Sequence, residues 1–348
     1  MLRLYKPIEH DDIFELNSIL EHLVCDIWCQ ADDEDWIYKN DNIKLKTLCK
    51  YKIFTGITFK SEINRIYGIF KLLKKSERRK IKKAWNINKK IRQLCTKKVK
   101  PRYLKDLNKT LKIDVVENDI KPLFEKCYED LLNKKGVSGD KLEYYKRLII
   151  LNDFDVCPCC GMSDFELEDS EYREAYDHYL PKSIYPFVSV NFKNLVPICY
   201  KCNSDRKDRK NPIEKERVTF YPFSNSTKHE ILIHLLIDET KDLDKLKKED
   251  IKIMYEGKDK EIETWDWLFD ISKRYNNKVK KYSKSMLKRL KSRHKTNLKL
   301  KEDTTYQETI DFMIKEYSEE KYTDKNFLRI PLLEVIKNRQ DMLDVYDN

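Results

Sequence analysis

The chain of 348 residues carries 71 Lys and Arg against 60 Asp and Glu, a formal net charge of +11, with 40% apolar and 11% aromatic residues. This composition is long and apolar enough for two or three packed units and excludes a disordered chain. Six glycines, with neither GxGxxG nor GxxxxGK[ST], exclude a glycine-rich phosphate loop, and no run nears the ~20 apolar residues of a membrane span.

The opening MLRLYKPIEHDD lacks the apolar core of a signal peptide, so the expectation is a cytoplasmic protein with no membrane partner. Its ten cysteines then read as thiols or metal ligands rather than disulfides. The positive excess favours a polyanion such as nucleic acid, or an acidic partner. Solvated faces of Lys-rich helices are the plain alternative.

Helix should predominate. Residues 11–29 place Ile13, Leu16, Ile19, Leu20, Leu23 and Ile27 at helical spacing, with Asp11 or Asp12 as cap. Cys25 and Cys29 share a face there and read as buried thiols. The acidic run Asp32–Asp35 reads as a loop or a helix start. Residues 71–112 hold eighteen Lys and Arg against Glu77 and Asp106. Ile81, Trp85, Ile91 and Leu94 form an apolar stripe, leaving Arg78, Arg79, Lys82 and Lys83 as candidate phosphate contacts. Pro101 ends this segment or begins the next. Residues 114–150 read as two helices joined by the turn NKKGVSGD. Residues 227–237 fit a strand or a short buried helix, and residues 272–301 a second basic helix. The expected organisation is a basic helical region 1–150, a central module 151–215 and a mostly helical region 216–348.

The central module opens with Cys157-Pro-Cys-Cys160-Gly and closes with Cys199-Tyr-Lys-Cys202-Asn. Two C-x-x-C pairs are a strong zinc signature, because each turn presents two thiolates to one tetrahedral ion. Gly161 suits the positive φ that closes such a knuckle, and Cys159 stays outside the site. Four thiolates leave no open position, so this Zn²⁺ is structural and chemistry belongs elsewhere. Between the pairs, residues 173–180 read as a strand ending at Pro181 and residues 194–198 as a second strand. The segment after Cys199 reads as a short helix.

The order C-x-x-C, Asp177-His178, Asn194-Leu195, C-x-x-C-Asn203 resembles the HNH endonucleases of the ββα-metal type over residues 155–212. The resemblance implies a mainly α protein with a small central α+β module, a ββα-metal core stapled by a four-cysteine zinc site and flanked by basic helical regions. It implies His178 as general base, Asp177 and Asn203 as ligands of a catalytic Mg²⁺ or Mn²⁺, and Asn194 as the residue that ties down the loop. Lys182, Arg206 and Lys207 are further candidate phosphate contacts. Strand alternation would send Asp177 and His178 to opposite faces, so the local chain must re-aim one of them. The activity implied is hydrolysis of phosphodiesters in DNA, with RNA as the alternative. A stand-alone HNH centre in a helical, Lys-rich chain also resembles nuclease effectors of bacterial anti-phage defence, which work with an ATPase partner subunit as in Septu-type or retron-linked pairs. A zinc-stapled nucleic-acid-binding protein without catalysis, or an interaction subunit of a larger complex, would need the cysteines and cations but not Asp177, His178, Asn194 and Asn203.

Overall fold

The computed structural model describes residues 1–31, 57–131, 140–226, 229–300 and 304–339. The acidic run Asp32–Asp35 and the glycines of the 133–140 turn lie outside them. The described residues are mainly helical, with two small two-stranded sheets among them. Packing groups the chain into two compact units. The first takes Leu4–Phe154 with Phe165–Thr227; the second takes Met1–Arg3, Asp155–Asp164 and Lys228–Asn348.

The first unit begins where Asp11 accepts a hydrogen bond from the Ile13 N–H at 2.9 Å. That cap starts a 3₁₀ turn, followed by α1 (Glu15–His22). The expected single helix over 11–29 is not uniform: a wide π-type turn at Leu23–Ile27 and a 3₁₀ turn at Trp28–Gln30 finish it. Its predicted apolar stripe is buried throughout. Next come α2 (Ile57–Leu72), α3 (Lys75–Asn88) and α4 (Ile91–Cys95), so the basic segment is broken after Asn88. α5 (Leu104–Asn108) follows Pro101, and α6 (Lys121–Lys126) precedes α7 (Lys141–Asn152). Asp140 caps α7 by accepting from the Leu142 N–H.

Large aromatic rings fix how these helices meet. Trp85 of α3 lies 5.8 Å from Phe124 of α6 and 5.4 Å from Phe187. Tyr144 of α7 meets Phe192 edge-on at 5.0 Å, and Phe192 meets Tyr176 at 5.4 Å. Tyr176 opens β1 (Tyr176–His178), which pairs antiparallel with β2 (Leu195–Pro197) in the register Tyr176↔Pro197, Asp177↔Val196, His178↔Leu195. The strands are shorter than the runs 173–180 and 194–198 suggest. Pro197 lacks the N–H that would prolong the ladder. The second strand leads into a wide helical turn, Lys201–Lys207.

In the second unit, β3 (Leu232–Ile237) pairs antiparallel with β4 (Ile251–Glu256), which resolves the ambiguity of residues 227–237 as a strand. Four helices follow: α8 (Asp259–Phe269), α9 (Ile271–Lys299), α10 (Tyr306–Glu319) and α11 (Asn326–Lys337). α9 buries Tyr275, Val279, Met286, Leu287 and Leu290 and turns its lysines outward. The first cysteine knuckle belongs to this unit. Trp265 donates its indole N–H to the Cys159 carbonyl at 2.9 Å, and Tyr275 donates its hydroxyl to the Cys160 carbonyl at 3.0 Å. Gly161 closes the knuckle at φ +62°, where an added Cβ would lie 2.6 Å from the Phe327 ring. An alanine there meets both that clash and a left-handed backbone, worth about 1–2 kcal/mol by itself. No described helix is long and apolar enough to cross a membrane.

Candidate functional site

Both cysteine pairs are closed by the same hydrogen-bond pattern. The N–H groups of Cys160 and Gly161 donate to the Cys157 carbonyl at 3.2 and 2.7 Å. Those of Cys202 and Asn203 donate to the Cys199 carbonyl at 2.9 and 3.0 Å. The Sγ atoms of Cys157, Cys160, Cys199 and Cys202 all lie within 4.8 Å of one another, and all four residues are buried. A tetrahedral zinc with bonds near 2.3 Å would set its sulfurs about 3.8 Å apart. The four thiols could therefore bind a metal such as zinc. Cys159 is buried but outside this group. Cys25 and Cys29 are buried too, and burial pushes both thiols up to about 12, so they stay protonated.

The short β1–β2 hairpin carries the polar residues. Asn194 is fully buried, and its amide holds the intervening loop at two places. Its Oδ1 accepts from the Leu180 N–H at 2.8 Å; its Nδ2 donates to the carbonyls of Leu180 at 3.0 Å and Val188 at 3.3 Å. The loop so held brings the Ser189 carbonyl to 2.8 Å from His178 Nε2. A carbonyl can only accept, so Nε2 carries the proton and Nδ1 of the neutral ring keeps its lone pair. Tyr128 sits edge-on to the same imidazole, with centroids 4.9 Å apart. Burial pushes the imidazole down to about 3, opposed by the Ser189 carbonyl and assisted by Lys182, Lys207 and Lys141. His178 is thus a neutral imidazole at neutral pH.

Asp177, adjacent in the strand, has entirely different surroundings. It is 3% exposed and pairs through Oδ1 with Lys207 Nζ at 2.9 Å. Lys207 is itself fully buried and donates a second bond to the His178 carbonyl at 2.9 Å. The other carboxylate oxygen, Oδ2, is buried with no hydrogen-bond partner. Burial raises the Asp177 carboxyl, and the Lys207 ammonium opposes that rise. An orphaned, desolvated carboxylate oxygen of this kind fits a hard divalent cation, which would supply the missing partner. Asn203 is half-buried on the wide turn that ends at Lys207. That turn widens into π-type geometry, with the Asp208 N–H bonded to the Asn203 carbonyl at 2.8 Å.

The predicted phosphate contacts fare unevenly. Lys207 is not a surface cation, as the sequence suggests, but the buried partner of Asp177. The reason is that its side chain reaches an otherwise unpaired carboxylate. Lys182 lies 3.5 Å from both Glu125 and Glu129, and Arg206 is half-buried. Lys82 donates to the Cys25 carbonyl at 3.0 Å and lies 3.5 Å from Asp26. Arg78 is half-buried, with Nε and a terminal nitrogen lacking hydrogen-bond partners. Arg79 and Lys83 point to solvent.

Two residues escape sequence reasoning. Lys141 is 3% exposed, stands 4.1 Å from the Tyr128 ring centroid and donates to the Tyr128 carbonyl at 2.8 Å. Burial pushes its ammonium down to about 8. Tyr128 and Lys141 precede the 155–212 window, and no local pattern marks them.

Comparisons with known proteins find two partial relatives. The chain is 31% identical to Protein ea31 of Escherichia phage lambda over 109 residues, 31% of this chain and 33% of that protein. It is 43% identical to Septu protein PtuB of Bacillus thuringiensis over 49 residues, 13% of this chain and 19% of that protein. The chain thus spans about a third and a fifth of these two relatives. No family model matches, and no solved structure matches.

The burial of Lys207 has a measurable consequence. Removing one partner of a buried ion pair costs about 3–5 kcal/mol, whereas an exposed lysine costs within about 0.5 kcal/mol. Lys207→Met is expected to lower the unfolding free energy in urea by the larger amount, and Asp177→Leu/Lys207→Met to recover part of it.

Proposed function

We propose that this chain is an HNH-type endonuclease that hydrolyses phosphodiester bonds, DNA being favoured over RNA, and that it serves anti-phage defence. The observation that carries this reading is the pairing of two states in adjacent residues. Asp177 has a buried carboxylate oxygen without a partner. His178 has its Nε2 proton fixed on the Ser189 carbonyl, with Nδ1 left as the basic atom. A binding module has no use for either arrangement.

In this reading Nδ1 of His178 takes a proton from water as the water oxygen bonds to phosphorus. The bond from phosphorus to the leaving oxygen breaks, and that oxygen is protonated by solvent. A low imidazole pKa keeps the ring in its accepting form. The anionic phosphate, on arrival, favours the imidazolium and raises that pKa toward the working range. Asp177 and Asn203 would hold Mg²⁺ or Mn²⁺, which supplies charge neutralisation for the phosphate and the leaving oxygen. Lys207 positions Asp177 and the strand backbone from behind. Asn194 positions the loop that carries the Ser189 carbonyl. Cys157, Cys160, Cys199 and Cys202 would hold a structural Zn²⁺.

The defence role is supported by the short similarity to Septu protein PtuB. It agrees with the likeness of the HNH-type centre to Septu-type effectors. An ATPase partner subunit follows from that likeness.

Two outcomes are expected. The purified chain contains one zinc by elemental analysis, and Cys199→Ser/Cys202→Ser loses it; zinc retained by that variant removes the four-cysteine assignment. With Mg²⁺ or Mn²⁺, alone or with its partner subunit, the wild type cuts supercoiled plasmid or total RNA. His178→Ala is expected to lower the rate at least about 100-fold. Equal cutting by the two proteins would defeat the assignment of His178.

A further inference from the structure

We propose that the first unit carries a second binding site, distinct in its residues from Asp177 and His178, which takes an unpaired nucleotide: one base together with its phosphate. The site is a cavity of about 640 Å³, within the ~300–1,000 Å³ of ordinary ligand sites. Its walls come from the chain start near Glu9, the α3–α4 junction, Tyr144 of α7, Phe192–Lys193 and residues 221–226.

The floor is aromatic. Tyr144 and Phe192 lie buried beneath it, while Phe14 and Tyr221 are half-buried and line it. The Tyr221 hydroxyl donates to the Lys193 carbonyl at 3.1 Å, which locks the ring before any ligand arrives. A fixed π-face suits a flat π-ligand, and every nucleobase has such a face.

The rim is cationic. Lys90 and Arg92, at the α3–α4 junction, and Lys193 are all exposed on it. Lys89 is spent on Glu21, 2.5 Å away, and is not counted. One acid opposes them: Glu9 accepts from Asn225 Nδ2 at 3.2 Å and could also accept from a ribose hydroxyl or a base amine. An apolar ligand would leave three cations without a use, and an inorganic anion would leave the aromatic floor without one. A nucleotide uses both. A base inside a duplex is already stacked, so the nucleotide must be unpaired. It could come from a single strand or from the free nucleotide pool. This inference does not rest on the hydrolytic reading.

The test is binding by the full chain carrying His178→Ala, in buffer without Mg²⁺ or Mn²⁺. The probes are a labelled eight-nucleotide single strand, as DNA and as RNA, and adenosine 5′-monophosphate. Tyr221→Ala should weaken binding roughly 5- to 150-fold, the span of one lost base stack, while Tyr221→Phe, which keeps the ring and loses only its tether, should weaken it less. Lys90→Ala/Arg92→Ala, which alters exposed side chains only, should also weaken binding. For the strand, it should reduce the slope of log affinity against log salt by up to about 1.4. Displacement of the octamer by the mononucleotide identifies free nucleotide as the source. Displacement by unlabelled strands alone identifies a strand. If neither probe binds, or if affinity and salt slope are unchanged in both Tyr221→Ala and Lys90→Ala/Arg92→Ala, the proposal is wrong.

Discussion

A single buried ammonium organises the polar centre of the first unit. Lys207 Nζ holds the Asp177 carboxylate and the His178 carbonyl together, each at 2.9 Å. It thereby ties the wide turn after the second cysteine pair to strand β1. Burying two charges is expensive, and their attraction alone seldom repays the cost. What makes the arrangement informative is its incompleteness: only one carboxylate oxygen is satisfied, and the other faces the interior without a partner. A pair kept solely for stability would have little reason to leave that oxygen bare.

The backbone around the pair is fixed by a different device. Asn194 uses its amide oxygen and nitrogen to bond the Leu180 and Val188 backbones, so a loop between two three-residue strands keeps one conformation. Its reward is the position of the Ser189 carbonyl, which sets the tautomer of His178. Asp177 and His178 are neighbours in β1 but have different partners. One reaches Lys207; the other reaches Ser189 and Tyr128.

Much of this was legible in the sequence. Spacing marked the four cysteines, and the apolar stripes of residues 11–29 and the basic segment were readable because helix periodicity is regular. Asp177, His178, Asn194 and Asn203 stand out only through the resemblance of the 155–212 window to HNH endonucleases. What spacing could not supply was depth. Lys207 reads as one more cation in the run SDRKDRK, yet it is fully buried. Tyr128 and Lys141 reach the His178 environment through tertiary packing alone, so nothing in their neighbours announces them. The grouping into two interleaved units also escapes a linear reading, because residues 155–164 leave the flanking chain to pack on Trp265 and Tyr275.

The central claim is that the bare oxygen of Asp177 receives a divalent cation. Titration with Mn²⁺, followed by loss of the free-ion paramagnetic resonance signal, addresses it without any substrate. The wild type should take up one more Mn²⁺ than Asp177→Ala/Lys207→Met, a variant that removes both buried charges together so that neither is stranded. Equal uptake by the two proteins, with both shown to be folded, would contradict the account and leave the buried pair a structural feature only.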